Sequence, residues 1–150
     1  MVTGIEHVAV TVSSIEKSIP FYTDILGLSL LSEHELEGKE IEEMADMPGT
    51  RLKSVRLGVP NSDMIIDLQE YYHPIGTPIV SRTCDPCNSH FCFFVEDMDQ
   101  AYADMKSKGV RFKSEPVVFD LGPEGIVKVV WFYDPDDFVL ELLEVKSAEG

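Results

Sequence analysis

The hydrophobic and polar positions of this chain follow one pattern that occurs twice. Residues 5–12 alternate as in a half-buried strand, with valines on one face and His7 on the other. A helical stripe of apolar residues and further alternating segments follow. After a linker, residues 89–95 alternate again, with two phenylalanines and a valine on one face and His90 on the other. The order predicts a strand, a helix and more strands in each half.

Each predicted helix has a start and a stop signal. In the first half, the spacing from Ser13 to Glu16 is that of a capping box, and Gly27 follows the last turn. In the second half, Asp97 begins the helix and Gly109 ends it. Pro20 conflicts with an uninterrupted first helix, so we expect a kink there or a loose first turn.

The remaining apolar segments predict strands, and the stretches between them predict loops. Strands are expected at residues 28–36, 51–57, 64–71, 110–113, 117–120, 126–133 and 138–145. The acidic stretch 37–46 predicts a short helix or a lid. Residues 73–88 contain several prolines and no periodicity, which predicts a linker. The chain therefore contains a β-α-β-β-β unit written twice.

The two copies align at constant offsets. His7 aligns with His90 at an offset of 83 residues, and Asp67 aligns with Glu141 at an offset of 74. The smaller second offset places the longer loops in the first half. We predict an α+β fold in a single domain, residues 1–150, with internal repeats at 5–71 and 89–145.

Composition and charge narrow the function classes. The chain has 150 residues, 44% of them hydrophobic, and a net charge of −15. That charge argues against nucleic-acid partners and anionic membrane surfaces, which need a basic footprint. No apolar run approaches the ~20 residues that span a bilayer, and the first residues do not resemble a signal peptide. Three cysteines do not make a disulfide scaffold, so a soluble, cytoplasmic protein is expected.

Four polar residues occupy strand positions where an apolar side chain is usual: His7, Asp67, His90 and Glu141. Each histidine is on the first strand of its half, facing away from the apolar face, and each carboxylate is on the last strand. A lone histidine on a strand is more often half-buried core than a ligand. Four such residues at repeat-equivalent positions are much less easily explained by chance. Two imidazoles and two carboxylates suit Zn, Ni, Co, Mn or Fe(II), so we predict a divalent metal site.

Two neighbours of Asp67 are alternative ligands. Gln69 lies on the same strand face, two residues further along. Glu70 lies on the opposite face by strand alternation and would need a bulge to reach the site.

Three other features have both a chemical and a simpler structural interpretation. Cys84 and Cys87, followed by His90, have the spacing of half a zinc site or a redox pair; the simpler interpretation is two loop cysteines. The acidic residues from 33 to 46 form either a solvated face or a lid that lends a proton acceptor. Three arginines are candidate clamps for a substrate carboxylate or phosphate, or else ordinary surface charges: Arg51, Arg56 and Arg82.

Both halves resemble the vicinal oxygen chelate superfamily, which includes glyoxalase I, methylmalonyl-CoA epimerase, extradiol dioxygenases, and the bleomycin and fosfomycin resistance proteins. The similar segments are IEHVAVTV at 5–12, KSIPFYTDILGL at 17–28, SHFCFFVEDMD at 89–99, KGV at 108–110 and DPDDFVLEL at 134–142. Asp137 replaces the glycine that is usual in the family's last turn. Asp tolerates a left-handed backbone, so the turn is expected to survive.

The resemblance implies two βαβββ modules that form a cupped, mixed β-sheet around the metal, and it implies that dimers are common. The family's metal positions match His7, His90 and Glu141. Its position on the fourth strand of the first module is usually Glu or Gln, and it falls on Asp67, whose side chain is one methylene shorter.

The activity implied by the resemblance is that of a metal-dependent lyase or isomerase, similar to glyoxalase I or methylmalonyl-CoA epimerase. Such an enzyme stabilises an enolate or enediolate and moves a proton next to a carbonyl or thioester, with Glu141 carrying the proton. The alternatives are an Fe(II) extradiol-type dioxygenase, against which a fourth protein ligand at Asp67 argues, and a non-catalytic, drug-sequestering resistance protein, which often loses the ligand set. We expect a small-molecule substrate and a homodimer.

Overall fold

The computed structural model describes residues 1–146. The chain divides into two compact units, Met1–Ile79 and Val80–Gly150. Among the described residues, the helices are all too short or too polar to cross a membrane.

The first unit is built on a mixed four-stranded sheet. Its elements are β1 (Val8–Thr11), α1 (Ile15–Pro20), a π-helical turn (Phe21–Ile25), β2 (Ser29–Glu37), α2 (Lys39–Ala45), β3 (Arg51–Gly58) and β4 (Ile65–His73). The strand order is β1-β4-β3-β2. β1 runs parallel to β4, and the other neighbours are antiparallel.

The second unit has the same arrangement. Its elements are β5 (Phe91–Phe94), α3 (Met98–Ser107), β6 (Val117–Asp120), a 3₁₀ turn (Gly122–Glu124), β7 (Ile126–Tyr133) and β8 (Val139–Lys146). The strand order is β5-β8-β7-β6, again with one parallel pair, β5 and β8. β3 and β7 have the same order of buried and exposed positions along their eight residues. The predicted α+β fold with two βαβββ modules is therefore confirmed.

Strand alternation separates an apolar face from a polar one in each sheet. In the first unit, Val55 and Leu68 are fully buried on the apolar face, and Tyr22 of the helical segment is fully buried as well. Burying a side chain of this size contributes about 1.5–3 kcal/mol. Because neighbouring residues of a strand point to opposite faces, Asp67 and Gln69 lie on the other face. The burial of the apolar face thus determines which side the polar residues occupy.

The first helix begins and bends differently from the prediction. Its N-cap is Ser14, whose hydroxyl accepts a backbone N–H, and not Ser13. The α-helix ends at Pro20, and the chain continues as the π-helical turn Phe21–Ile25. Proline has no N–H to donate to the preceding turn, so the regular hydrogen-bond pattern stops there. The irregularity follows Pro20, and Gly27 ends the segment as predicted, with a φ of 77°.

One glutamate in each unit caps the helix of that unit. The Glu70 carboxylate accepts the backbone N–H of Ile15 at 2.8 Å, and the Glu144 carboxylate accepts that of Met98 at 3.0 Å. Both oxygens meet N–H groups that a helix start leaves without an intrahelical partner. The two contacts are equivalent in the repeats: Ile15 and Met98 are 83 residues apart, and Glu70 and Glu144 are 74 residues apart. Glu70 therefore faces the helix and is not an alternative to Asp67 as a ligand.

The strand predicted at residues 110–113 is not a regular strand. It forms a single bridge, between Phe112 and Phe132, beside the second half of β7. The backbone N–H of Lys113 donates to the carbonyl of Trp131 at 2.8 Å. The segment pairs with β7 over only a few residues, which is too short for a continuous ladder, but it extends the sheet edge where β6 ends.

Candidate functional site

In the second unit, the structure brings two of the predicted site residues into contact. His90 lies directly before β5, and Glu141 lies in the adjacent strand β8. The Nε2 atom of His90 is 2.9 Å from Oε2 of Glu141, and the Glu141 side chain is only 14% exposed. Two donors bound at about 2.1 Å to one ion, at a right angle, would lie about 3.0 Å apart. The pair therefore has the spacing of two adjacent ligands of one ion, as well as that of a hydrogen bond.

Two further side chains surround this pair. Trp131 is opposite Glu141 on β7, and its ring centroid lies 5.3 Å from that of His90. Cys92 is opposite Glu141 on β5. Partial desolvation of the sulfur, followed by the nearby Glu141 carboxylate, raises the pKa of the Cys92 thiol to about 11. Because the thiolate is the reactive form, Cys92 is not arranged as a nucleophile at neutral pH.

In the first unit, Asp67 is buried and both of its oxygens are occupied. The Ser54 hydroxyl donates to Oδ1 at 2.6 Å, and the Gln69 amide donates to Oδ2 at 2.7 Å. The Asp67 carboxylate is therefore held in one orientation. Gln69, the alternative ligand, is linked to Asp67 through its amide nitrogen and keeps its carbonyl oxygen as an acceptor.

His7 lies directly before β1, as His90 lies before β5. Its Nδ1 contacts the Glu6 carboxylate, which also pairs with Arg56. Arg56, and to a smaller extent His7, lower the pKa of Glu6. Histidines that bind metals usually donate one ring nitrogen to a carboxylate and bind through the other. The Glu6 contact fits this arrangement, with Nε2 as the ligand atom.

The four predicted ligands are divided two and two between the units. In the second unit, His90 and Glu141 contact each other. In the first unit, His7 and Asp67 share a sheet face, and each is bonded to other side chains. Within residues 1–146, no three His, Cys, Asp or Glu side chains form a group able to hold a metal ion. Cys84, Cys87 and His90 all belong to the second unit and form no such group, so the loop-cysteine interpretation is favoured for the two exposed cysteines.

The candidate anion clamps have partners of their own. Arg56 pairs with Glu6, and Arg82 pairs with Asp85 in its own loop at 2.8 Å. Arg51 lies over the ring of Tyr72, 5.7 Å from its centroid. The acidic stretch contains α2, as predicted, and most of it is exposed.

A shallow cleft of about 680 Å³ lies elsewhere on the first unit, where β2 ends and β3 begins. It is lined by Glu37, Gly38, Glu42, Gly49, Thr50, Arg51, Tyr72 and His73. In the register of β3 and β4, Arg51 lies opposite His73, and Arg56 lies opposite Asp67. Five residues of strand, about 16 Å, separate the cleft from Asp67. The cleft is therefore distinct from the position of Asp67 in this unit.

Both the sequence and the fold of this chain are similar to those of known proteins. Residues 4–142 match the family model for the Glyoxalase/Bleomycin resistance protein/Dioxygenase superfamily. The chain is 27% identical over 155 residues to lactoylglutathione lyase from Schizosaccharomyces pombe, covering 97% of this chain and 48% of that protein, about half its length. It is 29% identical over 149 residues to human mitochondrial methylmalonyl-CoA epimerase, covering 96% and 73%. A glyoxalase family protein from Bacillus cereus shares the fold at 16% identity, with a TM-score of 0.85 and coverage of 97% and 95%.

Proposed function

Because the chain belongs to the Glyoxalase/Bleomycin resistance protein/Dioxygenase superfamily, we propose that it is a divalent-metal-dependent lyase or isomerase. The reaction moves a proton on a carbon next to a carbonyl or thioester. The observation that carries this proposal is the contact between His90 and Glu141, which pairs a ligand-type imidazole with a largely buried carboxylate. Two relatives, one named a lyase and the other an epimerase, support the same kind of reaction.

The proposed ligands are His7, Asp67, His90 and Glu141, and the ion is Zn, Ni, Co, Mn or Fe. Nitrogen and oxygen donors of this kind suit such ions. When bound, the ion supplies positive charge that stabilises the negative charge developing on a substrate oxygen. Two observations fit metal binding by these residues: the contact between His7 and Glu6, and the spacing of His90 and Glu141.

Glu141 is the proposed proton carrier. Both oxygens of Asp67 already accept hydrogen bonds within the first unit, so its carboxylate is held in place. Glu141 has one more methylene and is held by His90 through one oxygen. A Glu141 oxygen takes the proton from the substrate carbon and returns it to the neighbouring carbon, or to the other side of the same carbon. The step needs no oxidant, reductant or nucleophile.

Deuterium exchange tests the reaction. The protein, loaded with one ion at a time, is incubated in D₂O with glutathione hemithioacetals, 2-methyl-branched acyl-CoA thioesters and simple 2-oxo acids, and exchange is followed by NMR. We expect exchange of one of these substrates only with metal present. Glu141→Gln is expected to keep part of the metal and to lose exchange by about 100-fold or more. Glu144→Gln, on the same strand but facing α3, is the control and should retain exchange.

Metal content tests the ligands independently of activity. His90→Ala is expected to lower the metal content of the purified protein far more than Cys84→Ala does. Equal losses would favour the Cys84, Cys87 and His90 alternative. The variants Asp67→Ala and Gln69→Ala identify the fourth ligand. The variant that lacks the true ligand should have a lowered metal content, and the other variant should not.

The competing functions predict different results. Cleavage of catechols with Fe(II) and oxygen, with no exchange of any tested substrate, would replace the proposal with an extradiol-type dioxygenase. Purified protein that holds no metal under any loading condition would favour a drug-sequestering protein.

A further inference from the structure

In the second unit, the proposed site residues His90 and Glu141 continue into a row with two side chains that the proposed reaction does not use, Trp131 and Lys113. β5, β8 and β7 are consecutive neighbours, and the segment 111–113 extends the sheet beyond the second half of β7. His90, Glu141, Trp131 and Lys113 follow one another in this order across one face of the sheet. The row therefore leads from the proposed proton carrier to an exposed lysine at the sheet edge.

Lys113 is held against aromatic rings. Its Nζ atom lies 5.3 Å from the centroid of the Trp131 ring and 5.7 Å from that of Tyr133. Arg111 also lies over the Tyr133 ring, 5.0 Å from its centroid, and pairs with Asp137. We call these four residues, Arg111, Lys113, Trp131 and Tyr133, the basic shelf.

Within residues 1–146, no carboxylate lies within ion-pair distance of Lys113. This is notable in a chain with 27 acidic residues and 12 basic ones. Arg111, by contrast, is already neutralised by Asp137. An ammonium group that lies over ring faces keeps its N–H donors available to an anion. Lys113 is thus a fixed positive charge in an otherwise acidic protein.

We propose that Lys113, supported by Trp131, binds an anionic group of the substrate, a carboxylate or a phosphate. The inference rests on the proposed function, because it takes Glu141 as the position of the reacting carbon. Two strand spacings, about 10 Å, separate the backbone of Glu141 from that of Lys113. The substrate class is therefore an acid or phosphate ester whose anionic group lies within that distance of the exchanging carbon. The Trp131 ring, which belongs to the strand between Glu141 and Lys113, is the apolar group available to the linking atoms.

Trp131 provides a direct test, because it is the one tryptophan in the sequence. Its fluorescence is followed in metal-free protein during titration with succinate and, separately, with inorganic phosphate, at an ionic strength held constant with chloride. We expect a saturable change with at least one of them and none with the uncharged diester dimethyl succinate. The stronger of the two responses identifies the carboxylate or the phosphate as the preferred group.

Variants separate the charge from the packing. Lys113→Met keeps a long apolar stem on the rings and removes the charge, so it is expected to weaken anion binding at least tenfold. Lys108→Met, which removes the same charge elsewhere in the unit, should leave binding unchanged. Circular dichroism verifies that each variant is folded. A saturable response that is equal in Lys113→Met and the wild type, an equal response to the diester, or no response to either anion would overturn the inference.

Failure of this inference and failure of the proposed reaction give different results. Anion binding that depends on Lys113, without deuterium exchange of any substrate, would leave the shelf in place and refute the lyase or isomerase proposal. Where exchange is found, Lys113→Met should raise the KM of the anionic substrate at least tenfold with little change in kcat. An unchanged KM would refute the shelf and leave the reaction in place.

Discussion

Cys92 and Glu141 lie opposite each other on adjacent strands, and the Glu141 carboxylate affects the chemistry of the Cys92 thiol. Partial desolvation and then the Glu141 charge raise the pKa of the Cys92 thiol from 9.0 to about 11. At pH 8 this lowers the thiolate fraction about 100-fold relative to an ordinary thiol.

We therefore expect iodoacetamide to alkylate Cys92 very slowly at pH 8, as measured by mass spectrometry of the peptides. Glu141→Gln removes the negative charge, so the pKa should fall and alkylation should accelerate. Glu144→Gln, which faces the opposite side of the sheet, should not change the rate. Rapid alkylation of Cys92 in the wild type would contradict the contact with Glu141.

At the same scale, the sequence predicted which residues to consider but not what holds them. Alternation and repeat alignment selected Asp67 and Glu141, because both patterns are local properties of strands. The donors on Asp67 come from Gln69 and from Ser54 on the neighbouring strand. The Ser54 contact depends on the register between β3 and β4, which residue spacing within one strand does not encode.

At the scale of elements, the repeated glutamate caps tie each helix to the last strand of its unit. Glu70 accepts an N–H at the start of α1, which is a short helix and depends on such contacts. Glu144 does the same for α3, and its pKa is lowered first by Lys146 and then by the Met98 N–H. Because the pKa of Glu144 is lowered in the folded state, its ionised carboxylate stabilises the fold at pH values above the ordinary pKa of 4.5. This stabilisation is lost as the pH falls through the folded-state pKa.

We expect Glu70→Gln to lower the free energy of unfolding by about 1 kcal/mol, because it removes a charge from a helix N-terminus. Urea denaturation at pH 7 measures this difference. The exposed Glu124, in a turn of the second unit, provides the control variant Glu124→Gln, which should stay within about 0.5 kcal/mol of the wild type. Equal losses in the two variants would show that the charge of the Glu70 cap contributes nothing.

Strand boundaries agreed with the prediction where a strand pairs with a neighbour over its whole length, and they failed where the pairing is only partial. The predicted strand 126–133 agrees with β7, and 117–120 agrees with β6. Residues 110–113 have strand-like composition, but they meet β7 over too few residues to continue the ladder. Asp137 adopts the left-handed backbone expected of the last turn, with a φ of 67°.

At the scale of the molecule, the chain is strongly acidic yet exposes apolar residues along one sheet edge. β6 is the edge strand of its sheet, and Val117, Val118 and Phe119 are 43%, 60% and 52% exposed. An exposed apolar edge is a common site of association between chains. The homodimer therefore stays a prediction, and the exposed apolar edge strand β6 is its physical basis.

Sedimentation velocity is expected to find twice the mass of the single chain. Phe119→Lys adds a charge to the exposed edge and should weaken the dimer at least tenfold, while Ser114→Lys, outside β6, adds the same charge and should not. A wild-type protein that sediments as a monomer at all concentrations would contradict the prediction.

By itself, the sequence determined the two βαβββ modules, the apolar and polar faces of their strands, and the candidate residues His7, Asp67, His90 and Glu141. These follow from the period of two residues, from capping and turn residues, and from an internal repeat, all of which can be counted along the chain. Only the tertiary structure decided that His90 meets Glu141, that Ser54 holds Asp67 and that Lys113 lies over Trp131. These contacts join residues far apart in sequence. They depend on strand order and register, which arise from packing the whole sheet rather than from the spacing of residues along one strand.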